Sequence, residues 1–124
     1  MHSFWLHWLY GGLRQWFDRV PERILVTGGT GTLGRLIVPR LRSAGCEVRV
    51  ASRRSPDVPL DLATGAGLAR AVAGCETILH LATGVRGLYR AIDTVDVLGT
   101  QRLLEHAARA GVRHFLYISI VGVD

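Results

Sequence analysis

Three glycines spaced Gly28-x-x-Gly31-x-x-Gly34 carry the clearest chemical meaning in this chain, because they follow the apolar run 24–27 and open an amphipathic segment. Each glycine has its own use in that context. Gly28 lets the backbone turn sharply, Gly31 lets a diphosphate approach without meeting a Cβ, and Gly34 lets a helix pack closely on a sheet. The N–H groups of the first helical turn and the helix dipole then hold negative charge. Gly28, Thr30, Gly31, Thr32, Leu33 and Gly34 are therefore the candidate contacts with a dinucleotide. A second cluster, Ser52, Arg53 and Arg54, ends the next alternating apolar run. A carboxylate there would bind an adenosine ribose and repel a 2′-phosphate, whereas guanidinium groups form charge-assisted hydrogen bonds with that phosphate. The pattern favours NADP over NAD, which stays possible; in the alternative, both arginines are solvated loop charges.

Positioning those residues requires strands alternating with helices. From Arg23 onward the spacing predicts strands over 24–27, 47–52, 58–60, 77–82 and 113–120. Helices are predicted from the loop to about Ala44, over 64–73 and over 93–110. Pro39 lies inside the first helix and should bend it or remove a hydrogen bond; Gly45 is its natural stop. Pro59 suits only the edge of a sheet. Alternating βα units of this kind form a parallel sheet, whose ligands bind beyond the carboxyl ends of the strands.

The segments ILVTGGTGTLGRLIVPRL, DLATGAGLARAVAGCETILHLAT and DVLGTQRLLEHAARAGVRHFLYIS occur in that order. Together they resemble the short-chain dehydrogenase/reductase superfamily, in the TGxxGxxG form of its extended, epimerase-like and atypical, NmrA-like branches. The TGxxxGxG form would need glycine at Thr32. The resemblance implies a Rossmann-type α/β fold: an open parallel sheet, helices on both faces, strand order 3-2-1-4-5, with further C-terminal strands missing from this chain. It also implies an oxidoreductase whose adenine is bordered by Asp61 and Leu62, and whose nicotinamide ribose lies along Leu81, Ala82 and Thr83. Asp61 has an equal alternative, capping a helix that begins near Thr64.

Relatives use a Ser or Thr after the fifth strand and a Tyr-x-x-x-Lys pair, in which the lysine lowers the tyrosine pKa. Ser119 stands at the first of these positions, but neither Tyr89 nor Tyr117 is followed by a lysine at that spacing, and Asp96 replaces an asparagine common in relatives. We therefore expect binding without turnover. Two explanations stay open: the N-terminal fragment of an oxidoreductase, or a non-catalytic NmrA-like nucleotide sensor that binds a protein partner.

Composition narrows the chemistry further. The 124 residues are 48% hydrophobic and 20% charged, an ordinary globular balance. All 15 basic residues are arginine, against 10 acidic ones, so any mechanism needing a lysine ammonium lacks it within these residues. The net charge of +5 admits nucleic acid, but no aromatic interleaving or helix-turn-helix pattern accompanies the arginines, and none is expected as partner. Cys46 and Cys75 have neither metal-ligand nor disulfide-framework spacing and read as reduced core residues of a cytoplasmic protein; no metal is expected. No apolar run reaches membrane-span length.

The chain divides into an aromatic-rich leader, 1–22, and the nucleotide-binding domain, 23–124. The leader holds all three tryptophans, and its stripe would suit a membrane surface or a partner, although an appended segment without a role is the favoured reading. His80 reads as a hydrogen-bonded core histidine rather than a base, and His106 and His114 as a helix-face and a strand-start residue. Glu105 and Arg109 have the spacing of a helical ion pair.

Overall fold

The computed structural model describes residues 23–82 and 92–118, with side chains in the second stretch from Asp96 onward. Five strands form one sheet: β1 (Arg23–Thr27), β2 (Glu47–Ser52), β3 (Val58–Pro59), β4 (Thr77–His80) and β5 (His114–Tyr117). Their order is β3-β2-β1-β4-β5 and every pairing is parallel, the Rossmann-type arrangement expected from the sequence. Among the described residues three α-helices accompany them, α1 (Thr32–Ser43), α2 (Leu68–Val72) and α3 (Thr100–Ala110).

Side-chain alternation along the strands divides the core between the two faces of the sheet. Leu25, Ala51 and Ile78 pack with Leu68, Ala71 and Val72 of α2 and with Leu103 and Ala107 of α3. Ile24, Val26, Val50 and Leu79 pack with Val38 of α1 and with Cys46 on the opposite face. β1, paired on both sides, is buried throughout from Ile24 to Thr27. Pro39 lies at an exposed position inside α1, which continues past it to Ser43 with one backbone donor fewer. Gly45, at φ +91°, carries the chain out of the helix.

At the sheet edge Pro59 pairs with Ser52, and side chains of the β2–β3 turn take over ladder groups. Asp57 Oδ2 accepts the Val50 N–H at 3.0 Å, and the Ser55 hydroxyl donates to the Val50 carbonyl at 2.6 Å. Arg49 closes the end of α2: its Nη1 donates to the carbonyls of Arg70 at 3.1 Å, Ala71 at 2.8 Å and Ala73 at 2.8 Å. Cys46 and Cys75 are buried free thiols, and burial pushes both pKa values up, against the nearby positive charge of Arg49 and Arg23 at Cys75.

Several elements differ from expectation. The helix predicted over 64–73 begins only at Leu68, because Gly65 (φ +82°) and Gly67 (φ +89°) adopt left-handed conformations that an α-helix cannot include. Asp61 caps no helix at Thr64; its Oδ1 accepts the Ala63 N–H at 3.0 Å in a local turn, and its backbone bridges to Ala66. β4 stops at His80 instead of Ala82, since the Ala82 N–H turns to the Thr27 side chain. β5 starts one residue late, with the Arg113 N–H donating to the Glu76 carbonyl at 2.8 Å, and Ile118 lies beyond its end. The single helix predicted over 93–110 divides into a π-wound segment, Ile92–Gly99, followed by α3. The change of winding falls at Gly99, directly before α3.

His114 opens β5 and His106 bonds the Arg102 carbonyl one helical turn back, as their positions suggest. Among the described residues the ion pairs are Arg23–Glu47 at 3.2 Å and Arg42–Asp57 at 3.7 Å, so Glu105 and Arg109 do not pair. The leader 1–22 lies outside the described residues. Within them no helix is long and apolar enough to cross a membrane, and no group of His, Cys, Asp or Glu could hold a metal ion.

Candidate nucleotide-binding site

Parallel register brings the candidate residues to one edge of the sheet. Thr27 stands opposite Ala51 on one side and His80 on the other, so Gly28, Ser52 and Leu81 leave three adjacent strands at the same level. Gly28 turns at φ +70°, donating its N–H to the Ala51 carbonyl at 3.2 Å. A Cβ on Gly28 would stand 2.7 Å from the Ala82 nitrogen, so β4's exit packs directly against the loop. A Cβ on Gly34 would stand 2.5 Å from both the Gly28 oxygen and the Gly29 Cα, which ties the first turn of α1 to the loop. Gly31 differs: it is exposed, and its missing Cβ would meet only the Gly28 oxygen, at 3.3 Å. Thr30, Thr32 and Leu33 are exposed around it. The start of α1 has neither a side-chain cap nor an acidic residue in its first turn. No carboxylate of that turn neutralises its dipole.

At the end of β2, Ser52 is half-buried, and its buried Oγ has no hydrogen-bond partner among the described residues. Such an orphaned hydroxyl is costly unless something supplies a partner. Arg53 and Arg54 follow, exposed and, among the described residues, engaged in no ion pair. The Leu60 N–H donates to the Ser52 carbonyl at 2.9 Å, bringing half-buried Asp61 and buried Leu62 to the same side of the sheet edge. Leu81 and Ala82 are half-buried; Thr83 and Ser119 lie outside the described residues. A groove of about 430 Å³ adjoins the loop between α1 and the β2–β3 turn, lined by Gly29, Thr30, Arg35, Val50 and Ser55 among others.

Sequence reasoning missed what lies beneath the loop. His80 is a hydrogen-bonded core residue, as expected, but its partners are the hydroxyls of Thr27, 2.5 Å from Nδ1, and Thr100, 2.8 Å from Nε2. Burial lowers the His80 pKa to about 4, against the opposing charge of Asp96. The one sequence signal was a polar residue at the inward-facing end of each of two buried strands, Thr27 and His80.

The exposed central glycine between two tightly enclosed ones, the uncapped helix start and the orphaned Ser52 hydroxyl fit a dinucleotide laid across the strand ends. The comparisons agree with that geometry. Residues 24–123 match the model of the NAD dependent epimerase/dehydratase family. The chain is 34% identical over 113 residues to a 3-beta-hydroxysteroid dehydrogenase of Mycolicibacterium neoaurum, covering 77% of this chain and 31% of that protein. It is 35% identical over 112 residues to sterol demethylase protein B of Methylococcus capsulatus, covering 79% and 34%. It thus spans about a third of the length of these curated relatives.

Among solved structures, a short-chain dehydrogenase/reductase superfamily protein from Agrobacterium tumefaciens with bound NAD superposes with a TM-score of 0.70. The two are 35% identical, over 77% of this chain and 31% of that one. A UDP-glucose 4-epimerase from Thermotoga maritima, solved with UDP-glucose, gives 0.68 at 27% identity, over 81% and 38%. With a family model matched along most of its length, this chain belongs to the NAD dependent epimerase/dehydratase family of the short-chain dehydrogenase/reductase superfamily.

Proposed function

We propose that this chain is the nucleotide-binding part of an oxidoreductase of that family and that it holds NADP(H) in preference to NAD(H). The observation that carries the reading is the open Gly31, set between Gly28 and Gly34, whose backbones pack too closely on their neighbours for any side chain. The diphosphate would lie over Thr30, Gly31, Thr32, Leu33 and Gly34, where first-turn amides and the helix dipole favour negative charge. Ser52 would bond the adenosine ribose, while Arg53 and Arg54 would pair with its 2′-phosphate, in place of the carboxylate that suits NAD. Asp61 and Leu62 would border the adenine, and Leu81, Ala82 and Thr83 the nicotinamide ribose. The cofactor, when bound, supplies the hydride chemistry; the residues present bind and orient it.

These 124 residues contain no lysine and hence no Tyr-Lys pair, so the chain alone binds without turning over a carbonyl substrate, and Ser119 by itself does not replace that pair. Binding belongs to 23–124, with 1–22 dispensable for it. Calorimetric titration with NADPH and with NADH tests the reading, using the parent chain and Arg53→Ala/Arg54→Ala. The parent should bind NADPH the tighter. The double variant should lose about tenfold or more for NADPH while NADH changes little, the size expected for charge-assisted bonds to one phosphate. Equal losses for the two nucleotides would refute the 2′-phosphate assignment.

A further inference from the structure

Thr27 and His80 end adjacent strands and are almost wholly buried, at 0% and 1% exposure. Their hydrogen bonds can be assigned proton by proton. A threonine hydroxyl has one hydrogen and two lone pairs. Two backbone donors point at Thr27 Oγ1, the N–H of Leu81 at 3.2 Å and that of Ala82 at 3.3 Å. Both are donors and cannot accept, the Leu81 N–H being shared with the Thr27 carbonyl at 3.0 Å, so the hydroxyl hydrogen goes to the remaining neighbour, His80 Nδ1. Nδ1 is therefore unprotonated and the ring, neutral, carries its hydrogen on Nε2, which donates to Thr100 Oγ1 at the start of α3. A hydrogen on Nδ1 instead would leave the threonine hydrogen without an acceptor among the described residues. The rings of Tyr117 and Phe115 lie 5.5 and 5.9 Å from the imidazole, centre to centre, and enclose it on the β5 side.

The held backbone is the one that meets the loop. The Ala82 nitrogen, fixed by Thr27 Oγ1, is the atom a Cβ on Gly28 would strike. We propose that His80 is a positioning residue of the nucleotide site: as a neutral imidazole protonated on Nε2 it takes the Thr27 hydroxyl hydrogen and so turns the Thr27 oxygen toward the Leu81 and Ala82 N–H groups, holding that backbone against the glycine-rich loop. Its functional consequence rests on the dinucleotide reading above, whereas the tautomer does not. No proton moves to or from a ligand.

Two measurements on the chain test it. Nitrogen NMR of the histidine rings without nucleotide should place the His80 hydrogen on Nε2; a hydrogen on Nδ1 overturns the proposal whatever the chain binds. Calorimetry with NADPH should show Thr27→Val, which keeps the shape and removes the hydroxyl, binding about tenfold more weakly, with Thr27→Ser within about threefold of the parent. Should Thr27→Val fail to fold, His80→Asn against His80→Phe supplies the same contrast. Asparagine still offers an oxygen to the Thr27 hydroxyl, and phenylalanine offers none. Loss-free binding by Thr27→Val or His80→Phe overturns this inference alone, whereas no NADPH binding by the folded parent overturns the dinucleotide reading and, with it, the role given to the clamp.

Discussion

Acidification should weaken the fold through His80, by an amount that follows from its surroundings. In the unfolded chain the imidazole takes a proton near pH 6.5; in the fold, burial holds that proton off until about pH 4, although the carboxylate of Asp96 pulls the other way. Burial wins because the ring is enclosed by Thr27, Thr100, Phe115 and Tyr117, and none of them carries a compensating negative charge at this pH. As the pH falls below 6.5, the unfolded state binds the proton and the folded state does not, so stability drops through that interval and levels off below about 4. At about 1.4 kcal/mol per pH unit, the interval corresponds to a loss of about 3 kcal/mol. Urea unfolding followed by circular dichroism should measure it, on the parent and on His80→Asn, which has nothing to protonate at that site. Subtracting the variant's pH dependence removes the shared carboxylates and the other histidines. The parent should lose about 3 kcal/mol more than the variant between neutral pH and about pH 4; parallel curves would refute the buried neutral histidine.

Three further perturbations probe separate parts of the structure. Gly34→Ala should destabilise by about 1–2 kcal/mol in urea unfolding, because a Cβ would stand 2.5 Å from loop backbone while the gain in helix propensity offsets only part of the overpacking. Its affinity for NADPH should fall as well, and an unchanged variant would contradict the close packing of α1 on the loop. Arg49→Met should lower stability by about 1–3 kcal/mol by leaving three carbonyls at the end of α2 without their common donor, and a change below about 0.5 kcal/mol would show that water replaces it. Leu103→Ala, at a fully buried position of α3, should cost about 2–5 kcal/mol, measured the same way, unless that helix is not docked on the sheet.

Legibility from the sequence followed the range of the interactions. β1, the glycine loop, α1 and β2 could be read almost residue by residue, since the apolar run 24–27, the alternation of Val48 and Val50 with polar neighbours, three glycines and Gly45 are local signals. The strand order also followed, from the βα alternation and the family resemblance. The start of α2 could not be read from helical periodicity, because it depends on whether Gly65 and Gly67 take left-handed conformations, and Gly67 packs there against the backbone of Pro59 at the end of β3. His80 was recognisable as a core histidine but its partners were not, for Thr27 lies 53 positions and Thr100 20 positions away. The orphaned Ser52 hydroxyl is likewise visible only after the sheet assembles around it.

Amide NMR mapping of the chain titrated with NADPH tests the proposed site most directly, because it locates the ligand as well as detecting it. Saturable shifts concentrated at Gly28–Gly34, Ser52–Arg54 and Leu81–Ala82 are the expected result, with smaller effects at Asp61 and Leu62. Absence of saturable shifts in the folded chain, or shifts confined to surfaces away from the carboxyl ends of β1, β2 and β4, would contradict it.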